Sequence, residues 1–215
     1  MLSGITPGQI PGTPSPLRLA APRSVPASRL ERVRAAGAAF IRGTTQGWNR
    51  RELATWLVDQ YAPCVTPPFH METANLPPVM DTPLDEGFIN RLILDARDRV
   101  LQLLAELVVP WEATPRARLA VACGAVAPER DERGAIAYYP VRLMRMRLAQ
   151  RVSALFLADY LNRPTEYRWL MLCSECGELA FSAELAHGSW CEASPEEWIA
   201  LTPAEALYAA AGSSG

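Results

Sequence analysis

Apolar side chains recur every three or four residues over 85–108, which is the pattern of a helix that buries one face. The apolar stripe runs through Ile89, Ile93 and Leu104, while the charged residues of this segment lie off it. Pro110 follows shortly afterwards, and proline ends or breaks a helix. We therefore predict a long amphipathic helix over 85–108.

Three further segments show helical periodicity together with recognisable start or stop signals. The first segment begins at Ser28 and is predicted to end at Gly43. The second begins at Asn49, and Glu52 three residues later completes the pattern of a capping box. The third is predicted over 140–161, with a proline near its first turn.

Strand-like patterns are fewer. The runs RLAVACGAV and GAIAYYP flank the charged turn PERDERG, an arrangement that favours a β-hairpin, although the alanine content leaves a helix open. The run EYRWLMLC is a short predicted strand that leads to Cys173. Beyond Cys191, Ser194 and Thr202 are each followed by proline and, three positions on, by glutamate, so short C-terminal helices are predicted there.

Composition and pattern together divide the chain into three parts. Residues 1–27 hold six prolines and no acid, and they are predicted to form a flexible tail. Residues 28–166 are predicted to form a helical domain, and residues 167–215 a zinc knuckle with C-terminal helices. The expected fold class is mainly α, with a small C-terminal knuckle made of a short β-hairpin and a helix.

Three cysteines and one histidine fall close together near the C-terminus. The motif Cys173-x-x-Cys176 is followed by Gly177, and glycine permits the positive φ that such a tight turn needs. His187 and Cys191 add two further ligands, which gives the Cys₃His set of a structural zinc site. We predict that Cys173, Cys176, His187 and Cys191 hold one structural Zn²⁺.

The number of ligands bears on whether this metal performs chemistry. Catalytic zinc keeps three protein ligands and an open position for water, whereas four local ligands close the coordination shell. Zinc deaminases place a glutamate two residues after their histidine, but here Gly188 and Ser189 follow His187. The motif therefore favours a structural ion. A redox pair of Cys173 and Cys176, and a chance co-occurrence of these residues, stay open.

Charge is distributed unevenly along the chain. All 21 basic residues are arginine, and the absence of lysine excludes Schiff-base lysine chemistry and a phosphate-loop lysine. Residues 173–215 contain seven acids and no arginine, whereas residues 1–172 contain 21 arginines and 16 acids. Because fingers that grip DNA depend on cationic contacts to phosphate, the knuckle itself is not expected to bind nucleic acid.

The run VRLMRMRLAQR places a basic strip on the predicted helix 140–161, and we take its four arginines as candidate partner-binding residues: Arg142, Arg145, Arg147 and Arg151. Three interpretations are open for this strip. Its arginines can form a solvated face paired with nearby acids, dock the acidic knuckle or an acidic partner, or contact nucleic acid.

The segment 173–191 resembles the general class of CxxCG zinc knuckles. The stretch CSECGELAF…HGSWCEAS is also similar to the zinc finger of bacterial CGNR-type regulators, which carry a phenylalanine after the second cysteine and a Trp-Cys pair. Phe181 and Trp190 occupy those places here. The chain lacks the second cysteine pair, the CGNR tetrapeptide and the basic residues of those fingers. The resemblance thus implies zinc binding but not DNA binding.

Isolated cysteines and histidines give weaker signals. Cys64 and Cys123 stand alone in the sequence and are predicted to be buried structural thiols. His70 lies in a proline-rich loop, where a histidine without a special role is expected.

The remaining inferences concern location and function. No apolar run reaches the length of a membrane span, and the first residues lack the layout of a secretion signal. The arginine-rich composition indicates a GC-rich bacterial genome, so we expect a bacterial cytoplasmic protein. Its expected role is a non-catalytic, zinc-stabilised protein–protein interaction or assembly protein. The alternatives are a transcription regulator that contacts nucleic acid through 141–151, and a CxxC redox or metal-dependent enzyme.

Overall fold

The computed structural model describes residues 28–66, 85–108, 117–130, 133–143, 146–181, 191 and 198–200. Over these residues the protein is mainly α-helical, as predicted. The helices are α1 (Arg29–Thr45), α2 (Arg50–Trp56), α3 (Glu86–Leu107) and α4 (Leu148–Asn162). The strands are β1 (Val126–Arg130), β2 (Ile136–Pro140), β3 (Met171–Cys173), β4 (Leu179–Ala180) and β5 (Trp198–Ala200). Residues 117–122 are also helical. The tail predicted at 1–27 lies outside the described residues.

The first two helices begin at side chains that satisfy free backbone N–H groups. The Ser28 hydroxyl accepts a hydrogen bond from the backbone of Glu31. The capping box predicted for α2 is confirmed, because the Asn49 amide oxygen accepts from the Glu52 N–H at 3.1 Å and the Glu52 carboxylate accepts from the Asn49 N–H at 2.8 Å. Helix α3 agrees with its predicted span to within one residue at each end.

Helix α4 packs against α1, α3 and β2 and therefore lies at the centre of the core. Its Phe156 is buried against α1 at Gly37, where an added Cβ would lie 2.9 Å from the ring. An aromatic group of Phe40, Trp48 and Trp56 fills the space between α1 and α2. None of the helices in the described ranges is both long enough and apolar enough to cross a membrane.

Helix α1 continues to Thr45 and does not end at Gly43 as predicted. Gly43 is buried, and a Cβ at this position would collide with the indole ring of Trp48. The glycine is thus required for the close approach of an aromatic ring and not for ending the helix. The positive φ that follows the helix belongs to Gly47, at +82°.

Strands β1 and β2 form an antiparallel hairpin, and GAIAYYP supplies its second strand as predicted. The first strand is Val126–Arg130, so it takes in the start of the predicted turn PERDERG and only the last residue of RLAVACGAV. The first strand lies later than predicted, because residues 117–122 are helical. The outer edge of β2 is bonded to α4 at Tyr138. Asn162 donates from its amide nitrogen to the Tyr138 carbonyl and accepts from the Tyr138 N–H, both at 2.8 Å. One side-chain amide thus supplies both hydrogen bonds that a third strand would make there.

The helix predicted over 140–161 begins only at Leu148, because Pro140 is the last residue of β2. Val141 forms a bridge with Thr66, and the Arg142 N–H donates to the Thr66 carbonyl at 3.1 Å. These hydrogen bonds hold the chain extended at the start of the basic strip. The predicted basic helix 141–151 is therefore wrong at residues 141–143, 146 and 147, which are not helical.

The C-terminal strands form a three-stranded antiparallel sheet in the order β4-β3-β5. The helix predicted from Ser194 is wrong over Trp198–Ala200, since these residues pair with β3 as a strand. The helix predicted from Thr202 lies outside the described residues. The predicted domain boundary after residue 166 stays a prediction.

Strand β3 takes part in two separate groups of buried side chains. Leu172 joins the helical core, together with Leu179 of β4. Cys173 points to the other face and joins a smaller cluster with Cys176, Ala180 and Trp198. The small sheet therefore connects the helical core to the cysteine cluster.

Candidate metal centre

The three cysteine sulfurs of this segment converge at the end of β3. The sulfur atoms of Cys173, Cys176 and Cys191 lie within 4.8 Å of one another. Those of Cys173 and Cys191 are 4.0 Å apart, and all three thiols are free. Tetrahedral zinc with bonds of about 2.3 Å places its sulfur ligands roughly 3.8 Å apart. The observed spacing is thus close to that of a shared metal ion and much longer than a disulfide bond.

The turn after Cys173 is fixed by backbone hydrogen bonds. The Gly177 N–H donates to the Cys173 carbonyl at 3.0 Å, and the Cys173 N–H donates to the Glu178 carbonyl at 2.9 Å. Gly177 has a φ of +73°, the left-handed conformation predicted for it. The Glu178 N–H donates to the Cys176 sulfur. This N–H group is therefore placed to stabilise a thiolate ligand.

Burial controls the electrostatics of the cluster. Cys173 is completely buried, Cys176 is 4% exposed, and Cys191 is half-buried. Burial raises the pKa of Cys176 to about 12, with the Glu178 N–H acting in the opposite direction and the sulfurs of Cys173 and Cys191 adding to the rise. A cation bound among the sulfurs would lower the pKa of Cys176, because a cation stabilises thiolates.

Trp198 covers the cluster, a role that was not predicted from the sequence. It lies opposite Cys173 in the pairing of β5 with β3 and is buried. Leu179 and Phe181 lie close to the cysteines in sequence but pack with the helical core, and Trp190 lies outside the described residues. The sequence carries no alternating pattern at this point, because the apolar residues Ile199 and Ala200 follow Trp198 directly. Only the pairing with β3 places Trp198 on the cluster and leaves Ile199 exposed.

The cysteine turn is attached to the C-terminal end of α1. The Arg42 guanidinium forms an ion pair with the Glu178 carboxylate at 2.9 Å. A Cβ on Gly177 would lie 2.9 Å from the Arg42 Cα and would collide with the Thr45 side chain. Arg97 of α3 donates to the Thr45 hydroxyl at 3.2 Å. The metal candidate is thus packed directly on the helical core.

The structure brings together three of the four predicted ligands. His187 lies outside the described residues, and its role stays a prediction. The three thiols form a soft donor set, which suits zinc, copper(I) and iron–sulfur clusters better than hard cations such as Mg²⁺. The residues present therefore fit a thiophilic metal ion.

The structure describes three of the four arginines of the predicted basic strip, and these three do not share a helix face. Arg142 is extended, Arg147 directly precedes α4, and Arg151 lies within the helix. Arg145 lies outside the described residues. In the described part of the chain no carboxylate forms an ion pair with these three arginines, and the knuckle residue Glu178 pairs with Arg42 instead.

The isolated cysteines differ from one another. Cys64 is buried as predicted, its thiol donates to the Gln60 carbonyl at 3.1 Å, and burial raises its pKa to about 11. Cys123 is exposed, which contradicts its predicted burial, because it lies at the end of the surface helical segment 117–122. His70 lies outside the described residues.

Comparison of the chain with protein-family models, with curated proteins and with solved structures finds no match. Its function is therefore inferred from its own residues. The cysteine cluster is the feature among them with the clearest chemistry, since its three sulfurs meet at one point.

Proposed function

We propose that the protein holds one structural Zn²⁺ through Cys173, Cys176 and Cys191, with His187 as the fourth ligand. The observation that carries this proposal is the convergence of three sulfur atoms within 4.8 Å in a largely buried cluster. Zinc is the metal most typical of a local set of three cysteines and one histidine.

A structural role is supported by the surroundings of the cluster. Cys173 is enclosed, and Trp198 covers the strand face on which it lies. Four protein ligands would leave no open position for water or substrate. The same burial speaks against the redox alternative, because thiol–disulfide exchange requires that a partner sulfur can reach the attacking thiolate.

We further propose that the protein is a non-catalytic interaction or assembly protein. Its segment 173–215 contains seven acids and no arginine, whereas the remainder contains 21 arginines and 16 acids, and such opposite net charges favour electrostatic association with other proteins. The nucleic-acid alternative is weakened because the arginines at 142 and 147 do not lie on a helix that could enter a groove.

A metal assay on the purified full-length protein tests the zinc proposal. We expect one zinc per chain by elemental mass spectrometry, loss of this zinc in Cys176→Ser, and full retention in Cys123→Ser, whose cysteine is exposed and outside the cluster. Well-folded wild-type protein without metal would overturn the assignment, and so would a Cys176→Ser variant that keeps its zinc.

The interaction proposal needs a separate test. The zinc-loaded protein is used as bait for affinity purification, with Cys176→Ser and the double variant Arg142→Glu, Arg147→Glu as comparison baits. We expect a defined partner that is lost with the charge-reversed bait, since electrostatic association responds to such changes. Catalysed thiol–disulfide exchange that depends on Cys173 and Cys176 would instead establish the redox alternative.

A further inference from the structure

A cavity of about 430 Å³ opens between α2, the turn Leu57–Tyr61, α3 and α4. Its walls are mainly apolar, and they include Leu53, Leu57, Val58, Ala62, Val65, Leu92 and Leu148. Cavities of this size and character commonly hold small organic ligands. None of the cysteines of the metal cluster lines this cavity.

Three polar side chains line the same cavity: Tyr61, Arg142 and Arg151. Tyr61 is 3% exposed, and in the part of the chain that the structure describes no group accepts a hydrogen bond from its hydroxyl. Burial raises the pKa of Tyr61, while the nearby charges of Arg151 and Arg142 lower it. Arg151 lies 5.8 Å from the centre of the Tyr61 ring. A guanidinium only donates hydrogen bonds, so Arg151 provides no acceptor for the Tyr61 O–H group.

The two arginines carry charge that no described carboxylate neutralises. One N–H of the Arg151 guanidinium donates a hydrogen bond to the Met146 carbonyl at 3.1 Å, and the Arg142 side chain is exposed. A guanidinium binds planar or tetrahedral oxyanions through paired N–H groups. The larger cavity of about 580 Å³ differs in this respect, because its lining arginine, Arg99, already pairs with Asp95 at 3.0 Å.

We infer that the smaller cavity is a binding site for an amphipathic organic anion, with its anionic head between Arg142 and Arg151 and its apolar body among the leucines. The head group also provides an acceptor for the Tyr61 hydroxyl, whose burial without an acceptor is otherwise unfavourable. This site is independent of the metal centre and goes beyond the proposed structural role of zinc.

Isothermal titration of the full-length, zinc-loaded protein tests this site, with decanoate as the probe. Decanol, decyl phosphate and decyltrimethylammonium have the same alkyl chain and separate the contribution of the head group. We expect decanoate to bind at least about tenfold more tightly than decanol, and the cationic compound to bind more weakly still. A preference for decyl phosphate over decanoate would assign the head group as a phosphate, within the same site.

Substitutions in the cavity wall locate the binding. Arg142→Gln and Arg151→Gln should each weaken decanoate binding about tenfold, whereas Arg51→Gln, an exposed arginine of α2 outside the cavity, should leave it unchanged. Val58→Asp should abolish decanoate binding, because it adds a negative charge to the cavity wall. Val58 is 66% exposed, so this position tolerates a polar side chain. Circular dichroism checks that each variant is folded.

Three results would overturn the inference. One is decanoate binding no tighter than decanol binding, or no binding of either compound. Another is decanoate binding that Arg142→Gln, Arg151→Gln and Val58→Asp all leave unchanged in folded protein. An acidic peptide that binds these arginines when decanoate does not would also contradict the small-molecule site.

Discussion

Gly177, in the cysteine turn, lies directly against Thr45 at the last turn of α1, so that a Cβ on Gly177 would collide with the Thr45 side chain. The same glycine has a φ of +73°, which disfavours any other residue. Gly177 must therefore adopt a positive φ and must also lack a side chain that would collide with α1. These two requirements can be measured separately.

Gly177→Ala should lower the free energy of unfolding by about 2–4 kcal/mol, since a backbone cost of roughly 1–2 kcal/mol adds to overpacking against α1. Gly124→Ala is the matched control, because Gly124 has a φ of +69° with open space around it. It should show only the backbone cost. Urea unfolding of the zinc-loaded proteins measures both values. Equal losses in the two variants would contradict the packing of the turn on α1.

Removal of the metal should loosen the small sheet before the helical core. Strands β3, β4 and β5 have only two or three residues each, and sheets this small need support from packing or a metal. We expect a chelator to remove amide-exchange protection from 171–180, while the buried stretch of α3 keeps its protection. Cys176→Ser should show the same exchange pattern with and without chelator. Unchanged protection at 171–180 after chelation would argue against a structural ion.

Asp159 is a buried acid of the helical core with hydrogen bonds to two other elements. It is 2% exposed, and its carboxylate accepts from Arg34 at 2.9 Å and from the Tyr167 hydroxyl at 3.0 Å. Asp159→Ala should cost about 3–5 kcal/mol of unfolding free energy, because it leaves buried polar groups without their partner. The matched control is Asp95→Ala, which breaks the exposed pair with Arg99 and should cost less than about 1 kcal/mol. Denaturant titration measures both losses, and comparable values would contradict the assigned role.

The thiol of Cys64 should make stability depend on alkaline pH. Burial raises its pKa from 9.0 to about 11. Between these values the unfolded chain has lost the thiol proton while the folded protein keeps it, so the free energy of unfolding falls as the pH rises. The loss due to Cys64 is at most about 3 kcal/mol.

The variant Cys64→Ala isolates this effect, because the other titrating groups are common to both proteins. The stability advantage of wild type over Cys64→Ala should shrink between pH 9.0 and about 11. Cys123→Ala, at an exposed cysteine, should show no such change. A constant difference between wild type and Cys64→Ala across this range would show that the thiol is not buried.

The features that could be predicted from the sequence are those fixed by neighbouring residues. The capping box of Asn49 and Glu52 depends on a spacing of three residues, and the face of α3 depends on helical periodicity. The cysteine cluster was also predictable in part, because its spacing brings Cys173 and Cys176 around one tight turn.

The features that could not be predicted depend on residues distant in the chain. Gly43 predicts the end of a helix, but a glycine is required there because the Trp48 ring packs directly on it. The segment at Val141 and Arg142 reads as a helix, but it is held extended by hydrogen bonds to Thr66. Trp198 reads as part of a capped helix, but pairing with β3 makes it a strand. In each case a tertiary contact overrides the local preference.

The side-chain amide of Asn162 limits strand addition by a second copy of the protein at the outer edge of β2. A strand edge with free N–H and C=O groups is a template on which a second chain can add its own strand, and such additions lead to aggregation. At Tyr138, in the middle of β2, both groups are already bonded to Asn162 of the same molecule. The backbone of a second chain therefore cannot pair with Tyr138 while these bonds are in place. The Asn162 side chain thereby protects the hairpin from edge-to-edge growth at this residue.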